Sequence, residues 1–164
     1  MNSTAIGLVA VVVALGIASG CALWLRHRAG QLRARTQRVV VTATELGEQL
    51  GRRATLLQFS TAFCQPCRPT RRILTEVAET VPGTLHVELD AEANLDLVRK
   101  LGVLRTPTFF LLDDRGVIRQ MATGVPHKAA VKDALERLVH AETDRRALAP
   151  VSTRNETSQS VSDE

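Results

Sequence analysis

The chain has 164 residues, of which 45% are apolar and 3% aromatic, and its formal net charge is +4. One Trp and no Tyr argue against an RNA-binding module, which needs aromatic platforms for stacking bases. Residues 1–44 hold five Arg and no acidic residue, whereas residues 45–164 hold 16 basic and 17 acidic residues. The body of the chain therefore lacks the positive charge that a nucleic-acid-binding protein needs.

The N-terminal segment predicts a membrane anchor within residues 1–25. Ala5 to Leu25 form an apolar run in which Ser19 is the only clearly polar side chain. As a helix this run is about 31 Å long, which matches a hydrocarbon core of about 30 Å. Trp24 stands at its end, where an amphipathic ring suits the membrane interface.

Two other interpretations of this segment remain open. A cleaved signal peptide is disfavoured because Met1 to Thr4 supply no basic side chain before the apolar run. The sequence from Ala18 to Cys21 resembles the lipobox of bacterial lipoproteins, in which the Cys is acylated. However, Ala22 to Leu25 continue the apolar run beyond that Cys.

A basic juxtamembrane linker is predicted for residues 26–37. The five Arg that flank the anchor all lie on its C-terminal side: Arg26, Arg28, Arg33, Arg35 and Arg38. Positive residues close to a membrane helix stay on the cytoplasmic side. We therefore expect a single-pass protein of the cell membrane with its domain in the cytoplasm.

Strands and helices alternate through residues 38–142 and predict one α/β domain with a central mixed sheet and helices on both faces. The predicted strands are Val39–Val41, Ala54–Phe59, Leu85–Asp90, Thr108–Leu112 and Val117–Ala122. One predicted helix follows Thr42, which begins a capping box with Glu45, and a second follows the loop with Cys64 and Cys67 and ends near Glu79. Two further helices are predicted, from Leu95 to Leu101 and from Lys128 onwards. The last helix is expected to end near His140. The final hairpin is expected to add antiparallel edge strands, and residues 143–164 to form a disordered tail.

The loop after the second strand carries two cysteines, Cys64 and Cys67, separated by Gln65 and Pro66. A helix that begins near Cys64 would direct backbone N–H groups and the positive end of its dipole towards the sulfur. That arrangement stabilises the thiolate. The spacing also allows Cys67 to close a disulfide with Cys64.

From about residue 38 to 142 the chain resembles the thioredoxin family. The resemblance is carried by the Cys pair between strand and helix and by Thr106-Pro107-Thr108 ahead of a hairpin strand; Asp90 and Gly124 also match family positions. It implies that Cys64 attacks, that Cys67 resolves, and that Pro107 is cis. The implied substrate-binding residues are Phe63, Gln65, Pro66, Thr106 and Pro107.

The same resemblance implies a protein-disulfide oxidoreductase that needs no metal or organic cofactor beyond the redox-active Cys64–Cys67 disulfide. The implied partners are protein disulfide substrates and an electron-donor reductase, with the membrane contacted through Ala5–Leu25. A zinc site would need two further ligands, and the four His are scattered singly.

Four positions depart from the family pattern, one of them Gln65, which gives the spacer Gln-Pro in place of Gly-Pro. Phe63 stands where the family has a Trp, and Gln58 replaces a buried Asp that accepts a proton. His86 is expected to match the family's Lys that faces this Asp, and so to lie near Gln58. A proton relay through His86 and a merely packed or solvated His86 are both open.

Two alternative functions remain. One is an extracytoplasmic relative that serves cytochrome c maturation or disulfide formation. Such relatives often carry an insertion between the Cys-bearing helix and the cis-proline, and the 43 residues from Cys64 to Pro107 leave little room for it. The other is a non-enzymatic docking module held at the membrane.

Overall fold

The computed structural model describes residues 3–28, 30–34 and 39–148. The helices within these ranges are α1 (Ser3–Arg28), α2 (Ala43–Leu46), α3 (Cys67–Thr80), α4 (Leu95–Leu101) and α5 (Lys128–Leu148). The strands are β1 (Arg33–Ala34), β2 (Ala54–Ser60), β3 (Thr84–Asp90), β4 (Thr108–Asp113) and β5 (Ile118–Thr123). After α1, the order of strands and helices is the predicted one.

The five strands form one mixed sheet in the order β1-β5-β4-β2-β3. The pair β2–β3 is parallel, and the other three pairs are antiparallel. The expectation that the final hairpin lies at the edge is wrong for β4, which occupies the centre between β5 and β2. Its six residues, from Thr108 to Asp113, are all buried, as a central position requires.

Apolar side chains form a separate core on each face of the sheet. On one face α3 and α5 pack against the sheet through residues that include Leu74, Val77, Val131 and Leu135. On the other face α2 and α4 contribute Leu46, Leu97 and Leu101 to a second core around Phe59 and Phe110. The rings of Phe59 and Phe110 meet edge to face, with their centroids 6.0 Å apart. The two cores confirm a sheet with helices on both faces.

The first paired strand lies earlier in the chain than the β-branched run at Val39–Val41 predicts. Val39 to Val41 form only an isolated bridge, between Val40 and Val117, and Val41 is buried in the second core. The paired strand is instead β1, inside the predicted linker, where Arg33 pairs with Met121. Val39 and Val41 thus pack against the second core, whereas Val40 is exposed and makes the single bridge.

Local signals placed the helices more accurately. The predicted capping box is present, because Glu45 N donates to Thr42 Oγ1 and Thr42 N donates to Glu45 Oε2. The helix α4 has the predicted bounds. The helix α5 continues past His140 to Leu148, through the first residues of the predicted tail. It does so with Glu142 buried against the domain. The rest of the tail, residues 149–164, lies outside the described residues.

Helix α1 is apolar and exposed. Its segment Gly7–Trp24 has a mean hydropathy of 2.2, and none of that segment is buried against the domain. By length and composition it is a candidate membrane span, and a signal sequence near an N-terminus has the same properties. Cys21, the free cysteine of the described part, is exposed within this helix.

Candidate active site

Cys64 and Cys67 form a disulfide in the loop between β2 and α3. The Sγ–Sγ distance is 1.98 Å and the Cα–Cα distance is 5.3 Å. Cys64 is partly exposed, whereas Cys67 is 3% exposed. A partner sulfur can therefore approach Cys64, and Cys67 is shielded by the protein.

Helix α3 begins at Cys67, three residues later than the sequence indicates. The N–H of Cys67 donates to the carbonyl of Cys64 at 3.2 Å. The N–H of Cys64 donates to the carbonyl of Thr61, also at 3.2 Å. Pro69, in the first helical turn, has no N–H. The positive end of the helix dipole still lies at the disulfide, but the N–H groups of both cysteines are already hydrogen-bonded.

The segment around Pro107 lies beside the loop that carries the disulfide. The Thr106–Pro107 peptide bond is cis, as the resemblance implied. The hydroxyls of Thr61 and Thr106 are 3.3 Å apart and hydrogen-bonded, which connects the two segments. The N–H of Gly124 donates to the carbonyl of Pro107 at 2.8 Å and connects the end of β5 to the same site.

Two apolar side chains project from these segments. Phe63 is 96% exposed, and Leu104 is 95% exposed. Gln65 and Pro66, between the two cysteines, are also exposed. Leu104 is not predicted from the sequence, although an apolar residue in the loop before Thr106-Pro107 was the available signal.

Gln58 is fully buried and lies next to Cys67 of the disulfide. Its Nε2 donates to the carbonyl of Cys67 at 3.3 Å and to Oε1 of Glu88 at 3.2 Å. Its Oε1 is buried with no hydrogen-bond partner in the described part of the chain. Gln58 therefore does occupy a buried position beside the resolving cysteine, but as a neutral amide that cannot accept a proton at neutral pH.

Glu88, which no sequence pattern singled out, is the residue that faces Gln58. The Glu88 carboxylate accepts a hydrogen bond from Arg71 at 2.8 Å and forms an ion pair with it. Burial acts to raise the pKa of Glu88, but the hydrogen bonds from Arg71 and Ser60 and the charge of Arg71 outweigh it and leave this pKa below its ordinary value. A carboxylate held in this way stays ionised near neutral pH.

His86 does not face Gln58, so that expectation is wrong. In the β2–β3 register Gln58 is level with Glu88, whereas His86 is level with Leu56, two residues further from the disulfide. The Nδ1 of His86 is hydrogen-bonded to the Thr75 hydroxyl at 2.9 Å. Burial lowers the pKa of His86, which favours the neutral ring. His86 is thus a packed residue and not part of the disulfide site.

A carboxylate group at the opposite end of β4 was also missed. Oxygens of Asp113, Asp114 and Glu142 lie within 4.8 Å of one another, a spacing that could suit a cation. However, Arg119 pairs with Asp113 at 2.7 Å and with Glu142 at 3.4 Å, and Arg145 pairs with Glu142 at 2.7 Å. These guanidinium groups already neutralise the carboxylates of Asp113 and Glu142, so these two residues belong to a structural ion-pair network.

Comparison with known proteins fits this geometry. The family model described as Thioredoxin matches residues 37–137. The chain belongs to the thioredoxin family. The rice protein Thioredoxin H4-1 (Oryza sativa subsp. japonica) is 28% identical over 89 residues, which cover 54% of this chain and 63% of that protein. The chain thus spans less than two thirds of the length of the curated relatives it matches.

Solved structures of thioredoxins are also similar to part of this chain. A mutant thioredoxin from Halobacterium salinarum is 24% identical, with a TM-score of 0.48, over 52% of this chain and 74% of that chain. Mitochondrial thioredoxin 3 from Saccharomyces cerevisiae, in its oxidized form, is 23% identical, with a TM-score of 0.45, over 51% of this chain and 77% of that chain. The disulfide between Cys64 and Cys67 lies within the residues that the family model matches.

Proposed function

We propose that this protein is a membrane-tethered thiol–disulfide oxidoreductase that reduces substrate disulfides through Cys64 and Cys67. The observation that carries the proposal is the unequal exposure of the two cysteines, because an accessible Cys64 suits attack on a substrate and a buried Cys67 suits resolution. The apolar helix Ala5–Leu25 provides the anchor.

The chemistry consists of two thiol–disulfide exchanges. In the reduced protein the Cys64 thiolate attacks one sulfur of the substrate disulfide, whose S–S bond breaks, and the other substrate sulfur leaves as a thiolate. The Cys67 thiolate then attacks Cys64 Sγ, the mixed disulfide breaks, and the second substrate sulfur leaves. The substrate gains two electrons and two protons, and Cys64 and Cys67 become the disulfide.

Substrate positioning is assigned to the residues around Cys64. Phe63, Gln65 and Pro66 are exposed on one side of it. Thr106, which is half-buried, and Pro107, which is buried, belong to the neighbouring segment, connected through the Thr61–Thr106 hydrogen bond. An extended polypeptide that carries a disulfide can lie between these two segments with its sulfur directed at Cys64.

The direction of the reaction follows from the compartment. The Arg-rich flank of the anchor favours a cytoplasmic domain. The cytoplasm keeps thiols reduced, so an electron-donor reductase would regenerate the dithiol and the protein would act as a reductant. The proposed cycle requires only the two thiols and no metal or organic cofactor.

The experiment is reduction of insulin disulfides by the full-length chain in detergent micelles, with a small dithiol as the electron source. We expect activity in the wild-type protein and its loss in both Cys64→Ser and Cys67→Ser. The matched control is Cys21→Ser, which removes an exposed thiol of α1 and should keep the wild-type rate. An inactive wild-type protein, or an active Cys64→Ser variant, would contradict the proposed function.

A further inference from the structure

The disulfide lies at the end of the sheet where α1 joins the domain. The N–H of Gly30 donates to the carbonyl of Thr123 at 2.6 Å. Thr123 is level with Thr108, and Thr108 is level with Phe59, so these residues form one row across the sheet. The disulfide loop and Pro107 lie directly beyond this row. One residue separates Gly30 from Arg28, the last residue of α1.

The junction is held by close contacts. Gly30 has a positive φ of 77°, and a Cβ there would lie 2.2 Å from the carbonyl oxygen of Val125. Only Gly fits this approach. Beyond it, Arg33 pairs with Met121 and Ala34 with Gln120. The chain that leaves α1 is therefore fixed to β5 as soon as it reaches the domain.

This junction keeps the disulfide close to the end of the candidate span. Trp24 ends that span, and the helical residues from Trp24 to Arg28 rise about 6 Å. Two further residue steps, at about 3.8 Å each, reach Gly30. The β2 strand, which leads into the disulfide loop, is two strand spacings from β5, or roughly 10 Å. A domain held in this way can place its active-site end on the membrane surface.

The surface at this end has the composition of a membrane-binding face. Phe63 and Leu104 are the most exposed large apolar side chains in the described part of the chain. Arg105, which follows Leu104 in the chain, and Arg68, in the first turn of α3, are exposed. Arg105 donates to the Thr123 hydroxyl at 2.9 Å, next to the junction. Aromatic and aliphatic side chains with neighbouring Arg suit the interface of an anionic bilayer.

We propose that the active-site end of the domain lies against an anionic lipid surface, with Phe63 and Leu104 in the headgroup region and Arg68 and Arg105 at the phosphates. The proposal rests on the membrane tethering and redox function proposed above. It narrows the substrate class to disulfides at or just above the bilayer surface, such as those in juxtamembrane segments of membrane proteins.

The acidic side chains at this end set the tilt of the domain. Asp90 and Glu92 are exposed at the end of β3, the strand farthest from β1 and the junction. Anionic lipids repel these carboxylates and attract Arg105. The side of β5 and β4 therefore approaches the lipid more closely than the side of β3.

The test is lipid quenching of a single Trp in the full-length protein, reconstituted into phosphatidylcholine–phosphatidylglycerol vesicles with brominated acyl chains. The background is Trp24→Phe, which removes the only native Trp. The probe variants are Phe63→Trp and Leu104→Trp, both at highly exposed positions. The matched control is Arg115→Trp, exposed in the turn at the far end of the β4–β5 hairpin, about 20 Å along the strands.

In both probe variants we expect the Trp fluorescence to lose most of its intensity and its emission maximum to shift to shorter wavelengths. In the control variant we expect neither change. Raised salt should weaken the quenching, because the Arg contribution is screened. Absent quenching at both probes, or equal quenching at the control, would overturn the proposal and favour a protein partner for Phe63 and Leu104.

Two readouts separate this failure from a failure of the proposals beneath it. Vesicle flotation tests the anchor, because an untethered protein would not float with the vesicles. Insulin reduction by the Trp24→Phe protein tests the redox function. If the protein floats with the vesicles and reduces insulin but its probes are not quenched, the result contradicts the docking surface alone.

Discussion

The side chains of Gln58 and Glu88 lie level with each other on the parallel strands β2 and β3, with Nε2 of Gln58 3.2 Å from Oε1 of Glu88. The family resemblance places a buried Asp at position 58, faced by a Lys. Here the carboxylate is on the neighbouring strand, paired with Arg71, and an amide lies next to Cys67. The proton-accepting group of the family pattern is thus replaced by a neutral bridge.

Gln58→Asp should make the domain less stable at pH 7. The new carboxyl would be buried and close to the Glu88 carboxylate, so both desolvation and like charge would raise its pKa. We expect a loss of about 2 to 4 kcal/mol in the free energy of unfolding. A folded-state pKa above the unfolded value of about 3.9 means that the loss grows as the pH rises. Urea unfolding in detergent at pH 5 and pH 8 measures it.

The same variant should resolve the mixed disulfide faster, because the new carboxyl can accept the proton of Cys67. Stopped-flow disulfide reduction follows this step. In a Glu88→Gln background, Gln58→Asp should cost less stability than it does in the wild-type protein, because the like charge is absent. Unchanged rate and stability in Gln58→Asp would mean that residue 58 is not buried beside the thiols.

Arg119→Met should destabilise the protein strongly at pH 7. Arg119 pairs with Asp113, whose side chain is 1% exposed. Loss of the guanidinium leaves a buried carboxylate without its partner, at a cost of about 3 kcal/mol. The matched control is Lys132→Met, which breaks an exposed pair with Glu136 and should cost less than about 0.5 kcal/mol. Equal losses in the two variants, measured by urea unfolding, would contradict the assigned role of the network.

His86 should make the stability fall as the pH is lowered. Its pKa in the folded protein lies below the ordinary value, chiefly because of burial. Between the two pKa values the unfolded chain binds more protons, so stability is lost as the pH falls below about 6.5 towards the lower folded value. The variant His86→Gln should show a weaker pH dependence in this window. Unfolding curves whose pH dependence is identical for both proteins would be incompatible with a buried neutral His86.

Local signals determined what could be predicted from sequence. The capping box at Thr42, helix α4 and the spacing of the Cys pair follow from residues close together in the chain. The cis bond at Pro107 was instead implied by the family resemblance. The partner of Gln58 follows instead from the β2–β3 register, which no short pattern encodes, so His86 was predicted where Glu88 lies. β1 was missed in the same way, since its position depends on contacts of Gly30 with residues far along the chain.

Topology can be tested with a reporter thiol in the C-terminal tail. In a Cys21→Ser/Cys64→Ser/Cys67→Ser background, which has no other thiol, Ser158→Cys should be shielded from a membrane-impermeant thiol reagent in intact cells and labelled after lysis. This expectation follows from the five Arg on the C-terminal side of the anchor. Efficient labelling of intact cells would reverse the orientation and favour the extracytoplasmic alternative. Moving three of these Arg to the N-terminal side should tend to invert the protein.

Trapping of the mixed disulfide tests the roles of the two cysteines most directly. The full-length Cys67→Ser and Cys64→Ser variants are reduced, incubated with a disulfide substrate and analysed by mass spectrometry without added thiol. Our account predicts a stable mixed disulfide through Cys64 in Cys67→Ser, because the resolving thiol is missing, and none in Cys64→Ser. A mixed disulfide trapped through Cys67 in Cys64→Ser, or normal turnover by Cys67→Ser, would contradict it.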